Sequence, residues 1–148
     1  MKKLLLLLLC VPLIGFGQGW EKIFGDSIES RLGWSVQQTT DGGYISAGYI
    51  YEYNPENIDI LLLKTDPNGI EQWSRTFGSS SEDDMGLSAQ QTTDGGYIIA
   101  GGKDMGDGSI DGEVYLIKTD ANGISQWSRT FGDPTDDEHA RSVQQTTD

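Results

Sequence analysis

The nonapeptide QQTTDGGYI at residues 37–45 returns letter for letter at residues 90–98, and its opening letters begin a third copy at residues 144–148. Other segments keep step with it. WSRTFG stands at 73–78 and 127–132, with a looser WEKIFG at 20–25, and KTDxNGIxQW stands at 64–73 and 118–127. Trp20 and Trp73 are 53 positions apart, Trp73 and Trp127 54. A chain that repeats at a nearly fixed period of this size is restricted to architectures in which one supersecondary unit is laid beside copies of itself.

Within a repeat, four short segments read as strands. In the second copy they cover residues 87–93, 97–101, 113–119 and 124–131. The first two are joined by Asp94-Gly95-Gly96, the last two by Asp120-Ala121-Asn122-Gly123. Asp-Gly and Asn-Gly between β-branched and aromatic runs are hairpin signals, because Gly and Asn accept the positive φ that tight turns need. No stretch after the first 17 residues has helical periodicity, so the chain is predicted to be all-β. The third segment, Ile58-Asp59-Ile60-Leu61-Leu62-Leu63 and Val114-Tyr115-Leu116-Ile117, is apolar on both alternating faces. A strand with one wet face alternates, so these strands are expected to be covered on both sides. Four-stranded antiparallel sheets stacked face to face, one per repeat, predict β-propeller blades. A plain β-sandwich is the alternative, but it does not account for near-identical copies.

The order of segments sets the expected organisation. Residues 1–17 read as a signal peptide and 18–148 as the β-propeller repeat region. Within that region, 19–36 is a closing strand and loop, 37–89 repeat 1, 90–143 repeat 2 and 144–148 the start of a truncated repeat 3. The segment at 19–25 aligns with a fourth strand, as in propellers that close by pairing one terminal strand with the other end of the chain. About two and a half blades cannot close a ring of four to eight. The chain is therefore expected to be an incomplete fragment, with exposed sheet edges that favour aggregation.

The signal peptide is read from Lys2 and Lys3, the apolar run at 4–14, and a small-x-small exit at Gly15 and Gly17 that places cleavage before Gln18. The run is shorter than the roughly 18–20 apolar residues of a membrane span, so no stable span is expected. Cys10 invites a lipoprotein reading, but Leu9 stands where such signals carry a small residue. Cleavage removes the lone cysteine, and with it disulfide and thiol chemistry. It also removes two of ten basic residues and none of the 23 acidic ones, taking the net charge from −13 to −15. Such a chain repels nucleic acid and anionic membranes, and a secreted or outer-surface location is expected.

Loops divide into two kinds. Each tryptophan of the set Trp20, Trp73 and Trp127 precedes the next QQTTD by 17 residues, with varied content between. The connection between second and third strands, at 51–57 and 102–112, varies in length as well. In a four-stranded blade these two loops share one end and the short turns share the other, so a ligand is expected at the varied end. That end is acidic. Glu82, Asp83, Asp84, Asp136, Asp137 and Glu138 are candidate calcium ligands, with Asp104, Asp107, Asp111 and Glu113 nearby. No D-x-[DN]-x-[DN]-G loop is present, so solvated acidic loops are the reading favoured over calcium. His139, the sole histidine, aligns with Leu32 and Met85 and has no Cys or second His to work with. Ser35, Ser88 and Ser142 recur without a base and read as strand positions, and Asp41, Asp66, Asp94 and Asp120 read as turn residues. The recurrent tryptophans read as core, each ring contributing roughly 1.5–3 kcal/mol when buried. No catalytic or cofactor-binding residue is assigned.

QQTTDGGYIIAG at 90–101 followed by VYLIKTDANGISQWSRTFG at 114–132 resembles a family of secreted bacterial β-propeller repeat proteins common in Bacteroidetes, across essentially all of 19–148. The resemblance implies an extracellular or cell-surface module, often followed in such proteins by a sorting domain for type IX secretion. It brings no catalytic residues with it. The segment D-x-N-G-x-x-x-W at 66–73 is also similar to the quinoprotein-like propeller repeat and the Asp-box, but its spacing departs from both, and a quinone is not implied. The resulting expectation is a non-enzymatic binding or scaffolding module, monomeric at full length, for an extracellular protein or glycan. The alternative is an N-terminal accessory region of a larger secreted hydrolase.

Overall fold

The structure, a computed structural model, describes residues 21–25, 29–53, 56–79, 82–104, 112–133 and 138–146. The expected signal peptide with Cys10 and its expected cleavage site, Trp20, Asp107, Asp111, Asp136 and Asp137 lie outside the described residues.

Among the described residues eight antiparallel strands form two four-stranded sheets, one per repeat. The first sheet runs in chain order through β1 (Glu29–Gln38), β2 (Tyr44–Tyr53), β3 (Glu56–Thr65) and β4 (Glu71–Phe77). The second runs through β5 (Met85–Gln91), β6 (Tyr97–Lys103), β7 (Glu113–Thr119) and β8 (Ser125–Phe131). Among the described residues no helix is long and apolar enough to cross a membrane.

Register is set by the turns. Gly42 N–H donates to Thr39 O and Thr39 N–H to Gly43 O, both at 2.9 Å, and the second sheet repeats the pair at Thr92, Gly95 and Gly96. This is a type I turn closed by a left-handed residue, and that residue is glycine each time: φ is +82° at Gly42 and +83° at Gly95. The asparagines of the other turn do not take positive φ; Gly69 and Gly123 do. Each sheet also slips by one residue between its first two strands, at Gly33/Ser35 and at Gly86/Ser88. The two sheets are thus built alike down to their bulges.

β5 lies across β1, β2 and β3, so the sheets stack face to face. Between them Ile45, Ala47, Ile60 and Leu62 of the first sheet meet Ala89, Tyr97, Ile99 and Ile117 of the second, with Trp73, Phe77 and Tyr115 at the margin. Stacking requires backbone contact at Gly86, where a Cβ would meet Ile60 Cγ2 at 2.9 Å. Hydrogen bonds cross the seam too. Ser35 Oγ accepts from Ala89 N–H at 3.0 Å, and Gln91 Oε1 accepts from Thr40 N–H at 2.9 Å.

The double burial expected of the third strand holds in the first sheet, where Ile60, Leu61, Leu62 and Leu63 are all buried. It fails in the second: of Val114, Tyr115, Leu116 and Ile117 only Ile117 is buried. The difference is one of neighbours. The outer face of the first sheet carries Phe24 near Leu61 and Leu63, whereas the outer face of the second leaves all of β8 exposed. Residues 21–25, expected as a strand, carry no strand pairing, and β1 begins at Glu29, ahead of the expected Gln37 boundary.

Candidate functional site

The regular end of the sheets is locked by a lysine threaded under each glycine turn. Lys64 Nζ is 2.8 Å from Asp41 Oδ2, 2.8 Å from Thr65 O and 3.1 Å from Gln72 Oε1. Lys118 repeats this with Asp94, Thr119 O and Gln126. The lysine holds the Asp41 carboxyl down to about 2 and the Asp94 carboxyl lower still, helped by Thr39 and Thr92 hydroxyls. Asp66 and Asp120 each accept two backbone N–H bonds at 2.8 Å inside their own turns. These aspartates are turn architecture, as their spacing implied.

The varied end is built by the loop that leaves β4 and enters β5. Asp84 N–H donates to Ile58 O at 2.7 Å, and Asp83 Oδ1 accepts from Ile58 N–H at 3.1 Å, which ties the loop back to β3. Asp84 Oδ1 then accepts from Asp104 N–H at 3.1 Å, reaching the end of β6 in the second sheet. Glu82 caps the same strand end through Lys103, 2.6 Å away. The ammonium draws the Glu82 carboxyl below its usual range, and the carboxylate raises Lys103 in return. The next loop repeats the tie with Glu138 N–H on Gly112 O at 2.8 Å, and Ala140 N–H reaches Gly101 O at 3.1 Å.

Of the six candidate calcium ligands, Asp136 and Asp137 lie outside the described residues, and Glu82, Asp83, Asp84 and Glu138 do not converge on one point. Glu82 faces Lys103, Asp83 faces backbone, and Glu138 belongs to the following loop. Among the described residues no group of three or more His, Cys, Asp and Glu side chains is gathered to hold a metal.

Asp84 is the exception to solvated acidic loops: its side chain is fully buried, at 0 % exposure. A residue absent from the candidates, Asp59 on β3, lies beside it. Asp84 Oδ2 and Asp59 Oδ1 are both buried and have no hydrogen-bond partner among the described residues. Both aim at Gly78, where β4 ends. A Cβ there would overlap Asp59 Oδ1 and meet Asp84 Oδ2 at 2.9 Å, so glycine is what admits both carboxylates. Burial pushes the Asp84 carboxyl up to about 6, opposed by the Asp104 N–H and Lys103 and reinforced by Glu82 and Asp59. Burial raises Asp59 as well, against a hydrogen bond from Asn57 and with the charges of Glu52 and Asp83 added.

Alignment could have singled out this position. The residue six places after the glycine is Arg31 after Gly25, Asp84 after Gly78 and Glu138 after Gly132. In each case that side chain lies against its glycine. Arg31 is neutralised by Glu29 at 2.5 Å. What the letters could not show is that Asp59, on another strand, completes the second of these sites.

The other residues singled out from the sequence lie apart from this pair. Ser35 and Ser88 hydroxyls accept seam hydrogen bonds, from Ala89 N–H and Val143 N–H respectively. His139 Nε2 accepts from Arg141 Nε at 2.9 Å in an open cleft with Val114, Phe131, Gly132 and Glu138. Trp73 packs edge-on to Tyr97, ring centres 5.6 Å apart, while its counterpart Trp127 is exposed. No family model matches the chain, and no curated protein matches its sequence.

Proposed function

We infer that the two sheets are neighbouring blades of a β-propeller, and that the propeller is a secreted, non-enzymatic module binding or scaffolding an extracellular protein or glycan at its varied loop end. The observation that carries the blade reading is the repetition of the seam itself. Thr40 N–H bonds Gln91 Oε1 across the first seam at 2.9 Å, and Thr93 N–H bonds Gln145 Oε1 beyond the second sheet at 2.8 Å. Ala89 N–H on Ser35 Oγ is likewise renewed as Val143 N–H on Ser88 Oγ. A contact set that regenerates at the far side of each unit propagates, and ring closure is the usual way for such sheets to hide their faces.

The binding role is supported by where the copies differ. Cores, turns and lysine locks are duplicated, while the loops after β4 and β8 and the connections after β2 and β6 carry different residues. Rigid scaffold with diversified loops is the common arrangement of recognition surfaces. Secretion rests on the leader and on the resemblance.

The test is a glycan-array and pull-down screen of the full-length secreted protein. Exchanging residues 79–84 for 133–138 should abolish a bound partner. Asp66→Asn, at the opposite end, should leave it in place. Binding that survives the loop exchange and is lost with Asp66→Asn overturns the assignment of the varied end.

A further inference from the structure

We propose that Asp59 and Asp84 form a binding site for a divalent cation of the hard, oxygen-preferring class, calcium in the first instance, at the seam between the two sheets. The two carboxylates come from opposite sides of the seam, Asp59 from β3 and Asp84 from the residue before β5. Each presents one buried oxygen that no hydrogen-bond donor satisfies among the described residues, and both oxygens face the bare Cα of Gly78. A buried polar atom without a partner is costly, and two like-charged ones side by side are more so. The structure offers little to offset them. Glu52, Asp83 and Glu82 add like charge from around the pair, and Lys103, the nearby cation, is engaged with Glu82.

The rest of the molecule supplies a comparison. At Gly25 the same position is Arg31, which lays its methylenes against the glycine and turns its guanidinium to Glu29. That charge is paired, whereas the buried oxygens of Asp59 and Asp84 have no partner among the described residues, and a bound cation would supply one. Oxygen-only donors select calcium or magnesium over softer metals. The ligands come from the loop ahead of β5 and from within β3, and calcium tolerates irregular geometry at 2.3–2.6 Å better than magnesium does. Two aspartates supply at most four carboxylate oxygens, so affinity belongs with the extracellular modules, on the order of 0.1–1 mM.

The experiment is a calcium titration of the purified chain, read by calorimetry and by thermal denaturation. Wild type should bind saturably with a rise in Tm, and magnesium at equal concentration should do less. Asp84→Asn and Asp59→Asn should each weaken calcium binding by at least about tenfold while melting, without calcium, no lower than wild type. Glu138→Gln, in the following loop, should retain the affinity. Unchanged calcium affinity in Asp84→Asn overturns the proposal, as does the absence of any saturable response in wild type up to about 10 mM calcium; the pair is then neutralised by a shared proton. Should the asparagine variants fail to fold, hydrogen exchange of wild type decides. Calcium should slow exchange at Ile58, Asp84 and Asp104, and no change at these amides rejects the site.

Discussion

Lys64 is 3 % exposed in a chain with 23 acidic and 10 basic residues, and three acceptors make its burial tolerable. Removing one should be felt. Asp41→Asn is expected to destabilise the chain by about 1 kcal/mol, because the aspartate is half-exposed and part of the attraction is screened. The same pair gives an acid limb. The Asp41 carboxyl is held at about 2, below its unfolded value near 4, so its contribution is complete above about 4 and fades as pH falls toward 2. Urea denaturation at pH 7 and near pH 2.5 should therefore show wild type losing more stability than Asp41→Asn over that interval; equal losses would remove the lock from the account. Gly42→Ala, forcing a side chain to φ +82°, should cost about 1 kcal/mol or more in the same assay. At this scale the turn chemistry was legible from letters alone, since Asp-Gly-Gly has few conformations open to it. The burial of Lys64 was not, because nothing local shows that the acceptors of a lysine lie on three separate stretches of backbone and side chain.

Four antiparallel strands per repeat were also legible, because apolar runs between Gly-rich turns leave little choice; the reach of β1 back to Glu29 and of β2 and β3 into 51–57 was not. Burial was less so. Trp73 and Trp127 both sit in QWSRTFG, yet Trp73 packs on Tyr97 and Trp127 is 44 % exposed. Strands that differ at one residue in seven acquire different environments from the sheet beside them, which no window of sequence encodes. Trp73→Ala should therefore cost about 3–5 kcal/mol, and Trp127→Ala less than about 1 kcal/mol, in chemical denaturation of this chain. In a chain carrying a further complete repeat, the Trp127 change should approach the Trp73 value. If the two values stay apart there, a third sheet does not stack as the second does, and the blade reading falls. The Asp59–Asp84 pair escaped the sequence for a related reason. Asp84 looked like one more loop carboxylate, and Asp59 like a polar interruption in an apolar strand. Only stacking places both against Gly78.

For the molecule as a whole, net charge and exposed sheet face act in opposition. β8 is exposed along its length, and Trp127 and Phe131 stand on its outer surface, a template for a second copy. A net charge of −13 keeps copies apart at low ionic strength, and salt screens it over a distance of about 10 Å at 0.1 M. Light scattering after size exclusion should show mass rising from low salt to about 0.5 M sodium chloride, and Trp127→Glu should suppress the rise. A mass unaffected by salt, or a Trp127→Glu chain that associates as before, would locate self-association elsewhere. The unequal connections hold a practical consequence as well. β2 and β3 are separated by two residues, β6 and β7 by nine, yet the glycine turns and the bulges of the two sheets are the same. Lengthening a loop costs only about 0.6 kcal/mol per doubling. That hairpin is accordingly a splice point for protein engineering: a foreign epitope inserted between Lys103 and Gly112 would be displayed on a rigid frame, with the neighbouring unit left in register.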